Sequence, residues 1–257
     1  MAFSLSDIRP TVRRRIARGS SYAVTVAVLL LVIGYASSNW EELRKQFFNL
    51  DVAAQLFPQI LVALANSLIY TIIAFVVGTA LAIVLALMKT SKGPLRWFAI
   101  AFIEVFRGLP ALLTIFAFAY MLPMAFQIRW PGGAIWGGVL ALVLVTGAYS
   151  AEVVRAGIEA VPKGQREAAR SLGMSPLTTT FNVILPQAVR IVIPPLTNEF
   201  VLLLKDTALL FIAGATIAQR ELTTFGRDGL STYANATPMV VSGLLYLLLT
   251  IPLTYLV

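Results

Sequence analysis

Long apolar runs separated by short polar connections pattern the whole chain. Runs over residues 22–38, 59–88, 108–127, 134–154, 191–216 and 238–257 each reach the roughly 17 residues needed to cross a hydrocarbon core of about 30 Å. Each is predicted to be a helix, because lipid offers no partner to an open sheet edge. A further apolar stretch, 95–106, carries Arg96 and Glu104 and is expected to lie along the interface before Pro110. The run 22–38 is short, follows a basic lead and ends in Ala36-Ser37-Ser38, so it is either a retained first helix or a cleaved signal segment. The expected fold class is an all-α integral membrane protein of about six transmembrane helices, a five-helix core plus an N-terminal helix. Residues 1–57 read as a basic tail, the first helix and an external segment, and residues 58–257 as the transmembrane domain. The chain stops at Val257 inside an apolar run, which leaves room for a missing tail.

Composition sharpens this picture. Of 257 residues, 58% are hydrophobic and 12% charged, whereas a soluble domain carries about twice that charge. Cys and His are absent, which excludes disulfides, thiolate zinc sites and imidazole chemistry. A net charge of +8 would fit nucleic acid, but the basic residues sit in loops beside apolar spans. Arg9, Arg13, Arg14, Arg15 and Arg18 precede the first span; Lys89, Lys92, Arg96 and Arg107 follow the second; Arg155, Lys163, Arg166, Arg170 and Arg190 follow the fourth. Only Arg44, Lys45, Arg129, Arg220 and Arg227 lie opposite. That asymmetry places both termini and the long loop 155–190 in the cytoplasm.

The loop is folded in its own right. Within PKGQREAARSLGMSPLTTTFNVILP, residues 162–186, Gly173 suits the left-handed position that ends one short helix. Ser175 then caps a second helix, with Pro176 at its first position. Ala168, Ala169 and Leu172 fall on one side of the first helix, where small side chains permit a partner's close approach. Arg166 and Arg170 form a like-charged i, i+4 pair that Glu167 offsets in part and a partner's carboxylates would offset further. An amphipathic helix resting on lipid headgroups is the competing explanation.

Ionisable residues within the fifth run are costly in lipid and should face protein or water. Glu199 and Asp206 share one helical stripe, and Asn198 and Lys205 a second about 100° away; Pro194-Pro195 should weaken the helix before them. The two stripes are expected to line one polar wall, with Glu199 or Asp206 attracting an ammonium and Lys205 a carboxylate. A structural ion-pair cluster gluing helices is the alternative. Elsewhere, Glu104 is expected to pair with Arg107, Glu152, Arg155 and Glu159 to form a ladder, and Asn66 to make an interhelical hydrogen bond. No Gly-x4-Gly-Lys-Ser/Thr loop occurs, so this chain does not hydrolyse ATP by that route. No nucleophile–base pair or metal-ligand set is recognisable, so neither catalytic nor metal residues are assigned.

These residues also match a known pattern. The loop resembles the EAA motif of permease subunits of bacterial ATP-binding-cassette importers: Glu167-Ala168-Ala169, Gly173, Val183 and Leu185-Pro186 keep every spacing, with Val in place of Ile. Asn66-Ser67-Leu68 with Tyr70-Thr71, Phe106-Arg107-Gly108-Leu109-Pro110, Ala148-Tyr149-Ser150-Ala151-Glu152, Val161-Pro162-Lys163-Gly164-Gln165 and Leu203-Leu204-Lys205-Asp206-Thr207 are similar to its polar amino-acid branch. The resemblance covers residues 66–257. It implies an importer of the bacterial inner membrane with two permease subunits, identical or homologous, two ATPase subunits and an external solute-binding protein. ATP and magnesium would belong to the ATPases, with no cofactor in this chain and no nucleic acid. Gly164, Glu167, Ala168, Ala169, Arg170, Leu172 and Gly173 would couple to the ATPase. Asn198, Glu199, Lys205, Asp206 and Thr207 would line the path of the amino acid. A secondary transporter driven by an ion gradient, using Glu199 and Asp206 as ion sites, is the alternative; it leaves the ordered loop without a purpose.

Overall fold

A computed structural model describes residues 22, 24–31, 33–35 and 37–255. The basic tail, parts of the run 22–38 and the last two residues, on which expectations of orientation, cleavage and chain completeness fall, lie outside the described residues. The described residues contain helices and turns but no strand. Contacts divide the chain into units 1–50 and 51–257. In the first, helix α1 (Trp40–Phe47) is exposed, with acidic residues in its first turn and basic ones in its last, complementing the helix dipole.

The second unit holds all but the first residue of α2 (Leu50–Gln55) and is built on α3 (Gln59–Thr90). Ala63, Ser67, Tyr70, Ala74, Gly78, Ala82 and Leu85 recur at intervals of three and four along α3 and are all buried, a single stripe facing inward. After α4 (Pro94–Gly108), the chain bends by 105° at Leu109-Pro110. It continues as α5 (Ala111–Phe116), a wider π-helical turn over Ala117–Met121, and α6 (Leu122–Phe126). Helix α7 (Ala134–Ala160) is the centre: 72% of its apolar window is buried, against 33% for α3.

Close approach onto α7 depends on missing side chains. A Cβ on Gly78 would stand 3.0 Å from the Val143 carbonyl, and one on Gly147 would stand 2.7 Å from Leu81. Helices that lack a hydrophobic drive toward one another in lipid associate through such contacts. At Gly137 a Cβ would come within 2.6 Å of both the Phe118 carbonyl oxygen and the Trp130 indole nitrogen, the two atoms that share a 2.8 Å hydrogen bond donated by Trp130.

The loop supplies α8 (Lys163–Ser171) and α9 (Pro176–Thr179), then a π-helical turn over Thr180–Ile184 that runs into α10 (Leu185–Asp206). A 3-10 segment, Thr207–Ala213, and a second, Ile217–Gln219, lead to α11 (Leu222–Tyr233) and α12 (Thr237–Tyr255).

One expected boundary is revised. The stretch 95–106 packs on its neighbours, with Ala99 and Ile103 buried in a cluster with Ala82, Leu85 and Ala151. The run 191–216 is not one helix. It begins earlier, passes through Pro194-Pro195 unbroken and ends at Asp206. There the Thr207 hydroxyl donates to the Leu204 carbonyl at 2.6 Å, competing with the α-helical donor as the chain turns toward Gly214 at φ +64°. Among the described residues three helices, Gln59–Thr90, Ala134–Ala160 and Thr237–Tyr255, are long and apolar enough to cross a membrane, or up to five spans if each of two bent pairs counts as one.

Gly137→Ala should lower the thermal unfolding temperature in detergent, at a cost of about 1–3 kcal/mol, because its new methyl group meets a backbone carbonyl rather than a yielding side chain.

Candidate functional site

The loop's order rests on local hydrogen bonds. After α8, Leu172 and Gly173 turn the chain, with Gly173 at φ +81°. The Gly173 amide donates to the Arg170 carbonyl at 3.0 Å and the Met174 amide to the Ala169 carbonyl at 3.1 Å, a Schellman closure that favours glycine. Ser175 then caps α9, its hydroxyl oxygen accepting from the Thr178 amide at 3.1 Å. Arg170 does not turn back to Glu167; its guanidinium donates to the Met174 carbonyl at 2.5 Å and seals the same turn.

The small face is divided. Ala169 is buried, so it packs within the chain, while Gly164, Glu167, Ala168, Arg170, Leu172 and Gly173 are exposed. Leu172 is 84% exposed, and Leu177 and Phe181 of the segment that follows are exposed as well. Val161, Ile184 and Ala188 form the cluster beneath the loop, and Gln187 donates to Gln165 at 3.4 Å across it. From Pro176 to Asp206 the backbone is helical without a break.

The far part of α10 lines a cavity of about 530 Å³ together with Arg107, Pro110, Thr146 and Tyr149, a size that suits small molecules. Glu199 and Asp206 both face it. Arg107 lies over the Tyr149 ring at 5.5 Å, and the Tyr149 hydroxyl donates to the Arg107 carbonyl at 3.4 Å. The expected ion pair of Arg107 with Glu104 does not form; Arg107 stacks on Tyr149 of α7 instead.

The two polar stripes of α10 do not share one wall. Lys205 is exposed and lines a different cavity with Thr223, Ser242 and Tyr246. Asn198 is exposed outside the lining of the first, and Thr207 is buried with its hydroxyl spent on Leu204. The physical reason is the roughly 100° between the stripes: α7 closes over one while α12 flanks the other. Arg107, Thr146 and Tyr149, by contrast, enter the site from distant positions that helical periodicity within α10 could not reveal.

Two supporting networks complete the region. The carboxylate of Glu152 takes Lys89 from α3 on one oxygen, and Arg155 at 2.9 Å on the other. Arg155 also reaches Glu159 at 2.6 Å, so the expected ladder is present, with Lys89 as a further member. On the other side, Asn66 donates to the carbonyls of Ala218 and Arg220 at 2.8 and 2.9 Å, and Tyr70 to that of Gln219 at 2.9 Å. The buried Glu221 carboxylate accepts from the Thr223 and Thr224 amides at 2.6 Å, capping α11.

The family described as binding-protein-dependent transport system inner membrane component matches residues 78–257. Among curated proteins, the chain is 35% identical to the arginine transport system permease protein ArtQ of Bacillus subtilis, over 80% of this chain and 94% of that one. It is 36% identical to the probable glutamine ABC transporter permease protein GlnM of the same organism, over 80% and 93%. Among solved structures, an amino acid ABC transporter crystallised with histidines matches at TM-score 0.72 and 34% identity, over 79% of this chain and 93% of that one. The MetNI methionine ABC transporter, at 18% identity and TM-score 0.65, shares the fold.

Glu152→Ala should cost about 1–3 kcal/mol in unfolding experiments, since it leaves two half-buried cations without their shared carboxylate. Glu159→Ala, at a side chain 60% exposed, should cost less than about 1 kcal/mol.

Proposed function

The chain belongs to the family of binding-protein-dependent transport system inner membrane components, and from that premise we propose how it works as the permease subunit of an ATP-driven importer of a polar amino acid. It is a multi-pass membrane protein and not itself an enzyme; ATP hydrolysis lies on a separate subunit. The observation that carries the mechanism is the unbroken helical path from Pro176 to Asp206, which joins the exposed loop to the carboxylates of the cavity.

In this reading the loop is cytoplasmic, as are both termini, and α8 seats in a groove of the ATPase. Glu167 and the arginines meet the partner's polar rim, while exposed Leu172 offers an apolar contact. Two ATPase subunits, each with ATP and magnesium, act on two permease subunits, and an external solute-binding protein delivers the amino acid. When the ATPases close, the loop moves with them, and α10 carries that displacement inward as a rigid element. The cavity then opens alternately to either side. Glu199 and Asp206 attract the ammonium of the solute in passage. Arg107, rather than Lys205, shares their cavity and is the cation placed to meet a carboxylate.

An ion-gradient transporter is not favoured, since it gives the EAA loop no work. Collapse of the proton gradient at constant ATP should leave uptake intact, whereas ATP depletion should abolish it.

Affinity purification in mild detergent tests the loop directly. Wild type should recover a P-loop ATPase, and a variant with Gly173→Leu and Glu167→Ala should not. The left-handed turn costs a bulky residue about 1–2 kcal/mol, and the docking face is displaced with it. Equal recovery by both would remove the loop from coupling. For the pathway, Glu199→Gln should alter uptake kinetics or selectivity at unchanged protein level; unaltered uptake would take that residue out of the path.

A further inference from the structure

Helix α1 lies before the family match, which begins at residue 78. It starts where the first apolar run gives out. The Ser38 hydroxyl and the Asn39 side-chain amide each donate to the Tyr35 carbonyl at 2.9 Å, closing the end of that run with polar groups. Asn39 itself leaves helical geometry, at φ −112° and ψ 20°. Trp40 follows at once, so chain connectivity holds α1 at the level where the backbone leaves hydrocarbon.

The helix has two faces. At about 100° per residue, Trp40, Leu43 and Phe47 fall within one arc of about 60°, and Glu41, Glu42 and Lys45 fall opposite. No side chain of α1 is buried; Trp40 is 55% exposed and Phe47 42%, and Phe48 and Leu50 just beyond are exposed as well. The charged face is already paired within the helix. Lys45 reaches Glu41 at 4.0 Å, and Gln46 donates to Glu42 at 3.3 Å. Arg44 stands at the border of the apolar arc, about 40° around the helix from Trp40. Among the described residues it joins no ion pair.

Resting on the reading of the chain as a multi-pass membrane protein, we propose that α1 is an interfacial helix whose partner is the phospholipid surface. Trp40, Leu43 and Phe47 enter the boundary between headgroups and acyl chains, where aromatic side chains are favoured. Arg44 lays its methylene stem beside that stripe and sets its guanidinium on a lipid phosphate. The acidic and basic residues of α1 cancel, Glu41 and Glu42 against Arg44 and Lys45. The seat therefore depends on apolar burial and one phosphate contact, not on a general attraction to anionic lipid. It anchors to the bilayer a segment that precedes the family match.

The chain contains no cysteine, so a single introduced thiol carries a spin label without competition. Leu43→Cys, Phe47→Cys, Glu42→Cys and Lys45→Cys are labelled separately in the full chain, purified with its ATPase in nanodiscs of phosphatidylethanolamine and phosphatidylglycerol. Collision with oxygen reports lipid, and collision with a nickel chelate reports water. Labels at positions 43 and 47 should sit about 5–10 Å below the phosphates, while those at 42 and 45 should meet nickel. Incorporation of the complex into the disc checks the membrane reading separately from the seat of α1. A second measurement needs no label. Trp40→Phe leaves Trp97, Trp130 and Trp136 in place, so its difference spectrum against wild type isolates one indole, which brominated lipid should quench and aqueous iodide should not. Nickel reaching all four labels alike, or iodide quenching of Trp40, puts α1 in water and overturns the proposal. Labels at 43 and 47 shielded from oxygen and nickel together put a protein on the stripe and overturn it as well. Arg44→Glu added to Phe47→Cys should raise that label toward water; an unchanged depth removes the phosphate contact.

Discussion

Everything in this structure depends on how closely two helices can approach α7. Lipid gives no hydrophobic reason for helices to associate, so contact must come from packing over short distances. Gly78 and Gly147 remove the side chains that would hold α3 away, and Gly157 does the same for α10, where a Cβ would lie 2.0 Å from Val192. With α3 and α10 both seated on α7, the polar cavity, the Glu152 network and the loop acquire fixed positions relative to one another.

The loop's placement follows from that seating. Its own hydrogen bonds order it locally. The buried cluster of Val161, Ile184 and Ala188 fastens it to α7 and α10, and the helical backbone continues from Pro176 to Asp206. Pro194 and Pro195 remove two backbone donors within this stretch, yet neighbouring helices hold its course.

The polar interior shows two different uses of charge. Glu152, Lys89, Arg155 and Glu159 satisfy one another and tie α3 to α7. Glu221 is likewise consumed by amide groups and by the Tyr246 hydroxyl at 3.2 Å. Glu199 and Asp206 differ because they face open volume. Satisfied groups build the frame, while Glu199 and Asp206 are left lining open volume.

Local chemistry was legible in the chain itself. Apolar run length gave the helices, Gly173 and Ser175-Pro176 gave the loop's turn and cap, and EAA spacing gave the family, because each depends on neighbours a few residues away. Helical periodicity likewise put Glu199 and Asp206 on one stripe. What it could not give was the neighbour facing each stripe. Lys205 was assigned to the wall that Arg107 occupies, and Ala169 to a surface from which it is turned away. Those outcomes depend on the bend at Pro110, the glycine-mediated approach of α3 and α10 to α7, and the early end of α10 at Thr207. Each is a contact between residues far apart in sequence, so only the packed structure decided which charges would meet.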